Sequence, residues 1–269
     1  MLGEQTRIRL LGPITVTIEG REVQLGSPRQ LALFATLAAN VNRVVSREEL
    51  VDAVWGLEAP ATAINSVYTY VARLRNALEP SRPQRTPSRR LLSEGDGYLL
   101  ALPDSHVDLR TFEAHLAEAR RLQTTAALHS ALGELDSALA MWRGTPFSGA
   151  AGPFITTERT RLTELRLAAM EGRAELLLEL GQHAELVGEL FGLARRHPLR
   201  ERLRLQLMQC YLRLGRQADA LTEYHDLRAT LADELGIGPS EELQELYYNV
   251  LIPRGASTTA SCALAAASM

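Results

Sequence analysis

The sequence predicts a mainly α protein with a small β component, a winged helix-turn-helix domain followed by an all-α, tetratricopeptide-like bundle. Three observations carry that reading. Short β-type runs, three helical runs and a glycine-tipped hairpin fill the first hundred residues in that order. A leucine-glycine motif at Leu180-Gly181 returns at Leu214-Gly215, an offset of 34 residues. Charge also divides by region: residues 1–106 carry 12 arginines against 11 acids, residues 107–252 carry 16 against 21. We therefore read a winged-helix domain over 1–106, a helical domain over 107–252 and a flexible Ala/Ser/Thr-rich tail over 253–269.

The elements follow in chain order. Arg7 to Leu11, Ile14 to Ile18 and Glu22 to Leu25 read as three short antiparallel strands, broken at Gly12-Pro13 and Glu19-Gly20. Ser27-Pro28 supplies an N-cap and a first helical residue, with Leu31, Phe34, Leu37 and Ala38 at helical spacing. Ser46-Arg47-Glu48-Glu49 is a capping box opening a second helix with the stripe Leu50, Val51, Val54 and Trp55. A third helix is expected from Ala61 to Glu79, its inward stripe made of Ile64, Val67, Val71, Leu74 and Leu78. Leu91 to Leu100 reads as a hairpin with Gly95 and Gly97 at its tip, the wing.

The outer face of the third helix presents Thr62, Asn65, Ser66, Thr69, Ala72, Arg73 and Asn76, with no carboxylate before Glu79. That face suits a major groove. Asparagine pairs bidentately with adenine and arginine with guanine, serine and threonine reach base edges or phosphates, and a small alanine permits close approach. Residues 73–90 add six arginines against Glu79 alone, a compact basic footprint.

Taken together, Ala53-Val54-Trp55-Gly56, Val71-Ala72-Arg73-Leu74-Arg75-Asn76-Ala77-Leu78 and Gly97-Tyr98 resemble the winged helix of OmpR/PhoB-type regulators. Leu10-Leu11-Gly12-Pro13 resembles more specifically the Streptomyces antibiotic regulatory protein family. The resemblance implies that Asn65, Ser66, Thr69 and Arg73 face bases and that Trp55, Arg75 and Tyr98 touch or support phosphates. The wing departs from the pattern: Glu94 stands where an arginine commonly precedes the first wing glycine, and Arg89 and Arg90 are the expected substitutes.

In the second half, Leu180-Gly181-Gln182-His183-Ala184 and Leu214-Gly215-Arg216-Gln217-Ala218 mark helix pairs of tetratricopeptide period. Leu132-Gly133-Glu134-Leu135 reads as an earlier copy, and Gly236 and Pro239 as the end of one helix and the start of the next. Trp142-Arg143-Gly144-Thr145-Pro146 and Gly236-Ile237-Gly238-Pro239-Ser240 resemble the bacterial transcriptional activation domain of the same family. The resemblance spans about residues 7–252. It implies an activator that binds direct repeats in double-stranded promoter DNA, self-associates there, and recruits RNA polymerase through sigma factor and other subunits, controlling a secondary-metabolite cluster. It also implies that larger relatives continue into an ATPase.

Several chemistries are excluded. All 29 basic residues are arginine, so neither a P-loop lysine nor a Schiff-base lysine exists. Histidines 106, 115, 129, 183, 197 and 225 lack metal-ligand spacing, and no Gly-x-Ser-x-Gly elbow occurs. No catalytic residue, metal or cofactor is expected. Cys210 and Cys262 read as reduced thiols. No receiver domain, secretory signal or membrane segment is expected, and the protein is placed in the cytoplasm, on the nucleoid. The alternative is a tetratricopeptide adaptor whose winged helix binds protein partners.

Overall fold

The structure is a computed structural model describing residues 6–83 and 85–252. The expected tail over 253–269, with Cys262, lies outside the described residues. The chain forms two compact units, Met1–Met170 and Glu171–Met269.

The first unit opens with β1 (Thr6–Arg9), β2 (Thr15–Ile18) and β3 (Arg21–Glu22), an antiparallel sheet in that order with Ile8 opposite Val16. These strands are shorter than expected at their inner ends. Leu10 and Leu11 leave β1 because their amides donate instead to the Asp108 carboxylate, at 2.6 and 3.2 Å. Next come α1 (Pro28–Ala39), β4 (Val45–Ser46), α2 (Arg47–Trp55), a 3-10 turn (Gly56–Glu58) and α3 (Ala63–Leu78). Then follow β5 (Leu91–Glu94) and β6 (Gly97–Leu100), with β6 between β4 and β5 in a second sheet. The expected caps form: Ser27 Oγ accepts from the Gln30 amide, and Ser46 and Glu49 close both bonds of a capping box. Leu33, Phe34, Leu50, Val67, Val71, Leu74 and Leu91 are buried and form the core of this domain.

Two expectations here are corrected. α3 begins at Ala63 rather than Ala61, and Ile64 is 37% exposed while Ala63 is 3% exposed, so the inward stripe starts at the alanine. In α2 the fully buried set is Leu50, Ala53, Val54 and Trp55, with Val51 at its margin. β4 has only two residues and no sequence periodicity to announce it. Gly97 is what admits it: a Cβ there would lie 2.3 Å from the Val45 carbonyl oxygen.

The same unit continues through a 3-10 turn (Asp104–His106), α4 (Asp108–Thr124), α5 (Leu128–Ala140) and the first part of α6 (Pro153–Glu179). Asp108, the first residue of α4, also pairs with Arg143 at 3.0 Å. Burial pushes its carboxyl above the ordinary aspartate value, opposed by those two amide bonds and by Arg143. Arg143 N donates to Leu11 O and Phe147 N to Leu10 O, both at 2.8 Å, and Ser148 N to Gly12 O at 3.1 Å. Leu10–Pro13 and Trp142–Phe147, separate motifs in the sequence, are thus two sides of one hydrogen-bonded seam.

The second unit holds the rest of α6, then α7 (His183–Arg196), α8 (Glu201–Arg213), α9 (Gln217–Leu235) and α10 (Glu241–Leu251). Gly181 (φ 77°) and Gly215 (φ 73°) close the α6–α7 and α8–α9 turns in the left-handed region. Each turn is held by a bond from the following amide, Gln182 N to Leu177 O and Arg216 N to Tyr211 O. The repeat is therefore real, but its earlier copy is not at Gly133, which lies inside α5. The matching turn is at Ala126 (φ 55°), with Ala127 N donating to Leu122 O. Gly236 ends α9 in the left-handed region as expected, whereas Pro239 precedes the α10 N-cap Ser240 rather than starting the helix.

Among the described residues, no helix is long and apolar enough to cross a membrane, and no cluster of His, Cys, Asp or Glu is arranged to hold a metal. Cys210 is buried, which pushes its thiol up to about 11, consistent with a packing role.

Candidate nucleic-acid interface

α3 is amphipathic, and the core residues Val67, Val71, Leu74 and Leu78 fix its rotation. That rotation leaves Thr62, Asn65, Thr69, Ala72, Arg73 and Asn76 exposed, with Ser66 half-buried. The Arg73 guanidinium makes no ion pair among the described residues. The hydroxyls of Ser66 and Thr69 donate back to the carbonyls of Thr62 and Asn65, at 3.2 and 2.9 Å, so reaching a base requires a χ1 rotation. Asn76 accepts from Arg82 Nη2 at 3.3 Å.

Glu79, the first carboxylate after this face, is turned inward. It accepts from the amides of Arg89 and Arg90 at 2.8 and 3.0 Å and lies 3.6 Å from the Arg82 guanidinium. The potential over α3 is accordingly set by arginine.

The wing is fastened to this helix by Arg75, whose Nε donates to Leu91 O (2.9 Å) and Nη2 to Ser93 Oγ (2.8 Å), over the Tyr98 ring at 5.7 Å. Burial draws the Arg75 guanidinium below its ordinary value and pushes the Tyr98 phenol up. Trp55 and Tyr98 are both buried, and Trp55 lies parallel to Tyr70 at 6.2 Å, so the structure puts these two aromatics beneath the surface. Arg90 donates from Nη1 to Leu78 O at the C-terminal end of α3, while Arg89 is exposed. Glu94 and Asp96 are exposed at the wing tip.

Three features escaped the sequence. Arg47, half-buried at the start of α2, donates to Gly95 O (3.3 Å) and stacks over Tyr68 at 5.8 Å. Tyr68 is itself exposed beside Asn65. A cleft of about 580 Å³ between the end of α3 and β5 is lined by Arg75, Arg82, Arg85, Ser93 and Glu94. The only sequence signal for them was the density of arginine and tyrosine around the recognised motifs.

Two family descriptions match. Residues 20–100 match "Transcriptional regulatory protein, C terminal", and residues 107–251 match "Bacterial transcriptional activator domain". The chain is 41% identical over 246 residues to Regulatory protein AfsR of Streptomyces coelicolor, covering 91% of this chain and 24% of that protein. It is 34% identical over 249 residues to Regulatory protein DnrI of Streptomyces peucetius, covering 91% of this chain and 92% of DnrI. The chain thus spans about a quarter of the length of AfsR and nearly all of DnrI. Among solved structures, Mycobacterium tuberculosis EmbR in complex with a low affinity phosphopeptide superposes with a TM-score of 0.86 at 33% identity. That match covers 92% of this chain and 65% of the EmbR chain.

Proposed function

The chain belongs to the Streptomyces antibiotic regulatory protein family, a family of transcription regulators rather than enzymes, and from this premise we propose that it is a sequence-specific activator. Residues 1–106 bind double-stranded promoter DNA, and residues 107–252 carry the contacts that recruit RNA polymerase through sigma factor and other subunits. The target is a cluster of secondary-metabolite genes. The observation that carries the reading is the exposed, carboxylate-free side of α3 with its unpaired Arg73.

In this reading Asn65, Ser66, Thr69 and Arg73 reach base edges, Arg73 as a bidentate partner of guanine. Thr62 and Arg89 meet phosphates. Arg75, Arg90, Trp55 and Tyr98 hold the helix and wing in register, Arg75 and Arg90 through the carbonyls they already bind. Neighbouring protomers occupy direct repeats one helical turn apart and so share one side of the duplex. Such a protein acts in the cytoplasm, on the nucleoid.

The test is binding to a site selected from random duplexes. Arg73→Ala should weaken it by about 1–3 kcal/mol and relax base choice at one position per half-site. Affinity should also fall steeply with salt, through counterion release. An Arg73→Ala protein that binds the selected site like wild type would remove α3 from the groove. Pull-down of genomic fragments separates this reading from a protein-binding adaptor, which would enrich none.

A further inference from the structure

We infer that the first unit holds a site for a phosphorylated small molecule, at the cavity where β1 meets the start of α4 and the end of α5. This inference does not depend on DNA binding. The cavity has a volume of about 680 Å³, within the range of small-molecule sites. β1 supplies its charge. Strand alternation buries Ile8 and Leu10 and leaves Arg7 and Arg9 exposed on one face, and both line the cavity.

Neither arginine has an ion pair or hydrogen bond among the described residues. The only carboxylate in the lining, Asp108, is already matched by the Leu10 and Leu11 amides and by Arg143. Among the described residues, two guanidinium charges therefore line the cavity with no carboxylate paired to them. His106 also lines the cavity, although its Nδ1 is itself buried away from solvent. Ser105 contributes a further hydroxyl, and Ala140 and Met141 an apolar wall on which an organic body can rest.

Guanidinium pairs bind phosphate oxygens in bidentate geometry, which favours a phosphate group over a simple monoanion. The cavity is also several times larger than a phosphate, which argues for an organic phosphate over the bare ion. Its position would put the ligand beside Asp108 and Arg143, the lining residues that fasten Leu10 and Leu11 to α4. A bound phosphate on Arg7 and Arg9 would lie against the strand that feeds this seam.

Calorimetric titration of the full chain with ribose 5-phosphate and with inorganic pyrophosphate, at low ionic strength, tests the site. Binding is expected for both, and acetate, a simple monoanion, should bind at least about tenfold more weakly. The double variant R7Q/R9Q should lose about tenfold or more in phosphate affinity, with an unchanged circular dichroism spectrum and unchanged affinity for duplex DNA. Amide exchange at Leu10 and Leu11 should slow on binding, which locates the ligand. The assignment is overturned if neither phosphate binds at millimolar concentration, or if R7Q/R9Q binds them like wild type. It is also overturned if the double variant loses duplex affinity in parallel, since the two arginines would then be contacts to the DNA backbone.

Discussion

The winged helix and the second unit use the same residue in opposite ways. In the winged helix, Arg47, Arg75 and Arg90 donate to backbone carbonyls, Arg82 adds a carbonyl bond to its Glu79 ion pair, and Arg73 meets no partner among the described residues. In the second unit, Arg195 and Arg204 both pair with Glu223, Arg200 with Glu171, and Arg202 with Glu175. A carbonyl orients a guanidinium without cancelling its charge, whereas a carboxylate cancels it. The outer face of α3 therefore keeps arginine charge without a carboxylate beside it, whereas these arginines of the second unit are matched by carboxylates. The overall net charge of −3 conceals this, because the field depends on who each arginine's partner is.

The sharpest way to break this contrast is to remove a carboxylate from the second unit. Arg204 and Glu223 side chains are 2% and 4% exposed. Glu223→Ala would leave Arg204 buried without compensation, a change that costs about 3–5 kcal/mol in comparable pairs. Urea unfolding should show it as a large fall in midpoint. If the midpoint stays at the wild-type value, the interior pair is not what holds α8 to α9.

Next in size is the wing. Gly97→Ala would force a Cβ into the Val45 carbonyl and separate β4 from β6, for about 1–3 kcal/mol of overpacking. Gly95→Ala is the matched control. Gly95 has φ 57° but open space around it, so only the left-handed backbone penalty of about 1 kcal/mol applies. Thermal unfolding of the two variants should rank them in that order. DNA affinity should follow the same order, because the wing loses its register in the first variant and keeps it in the second.

What the sequence disclosed, and what it hid, divides along the same physical line. Local signals were legible: the Ser27 and Ser46 caps, the 3.6-residue stripe of α3 from Val67 onward, and Gly236 as the end of α9. Each rests on interactions within a few residues. The polar face from Thr62 to Asn76 was legible for the same reason, being the complement of that stripe. Hidden were the pairings between distant segments. β4 exists only because β6 passes beside it. Leu10 and Leu11 leave their strand because Asp108, about a hundred residues on, accepts their amides. Arg75, a site candidate by motif, and Arg90, a candidate as substitute for the missing wing arginine, take carbonyl partners that no spacing rule specifies. The Gly133 copy misled because a leucine-glycine pair inside a helix looks the same in sequence as one that ends it. The true turn at Ala126 uses an alanine at positive φ.

The smallest effect tests a second winged-helix carboxylate that, like Glu79, is used for structure as the second unit uses its own. Glu49 is that residue: its Oε2 accepts from the Ser46 amide at 2.7 Å, and Ser46 Oγ accepts from the Glu49 amide at 3.1 Å. The Ser46 amide, and then its hydroxyl, hold the Glu49 carboxyl below its ordinary value of 4.5. A depressed folded pKa stabilises at pH values above the unfolded one, and that contribution is lost as pH falls through the folded value. Ser46→Ala should cost about 1 kcal/mol at neutral pH. The Ser46 Oγ bond to the Glu49 amide does not titrate, so part of that cost should persist in acid. The remainder, carried by the hydroxyl and the charged carboxylate, should fade as pH drops below about 4.5. Urea unfolding of both proteins at neutral pH and near pH 3 measures the two parts. A Ser46→Ala penalty of the same size at both would mean that the Ser46 hydroxyl acts through the Glu49 amide alone and adds nothing to the stabilisation of the Glu49 charge.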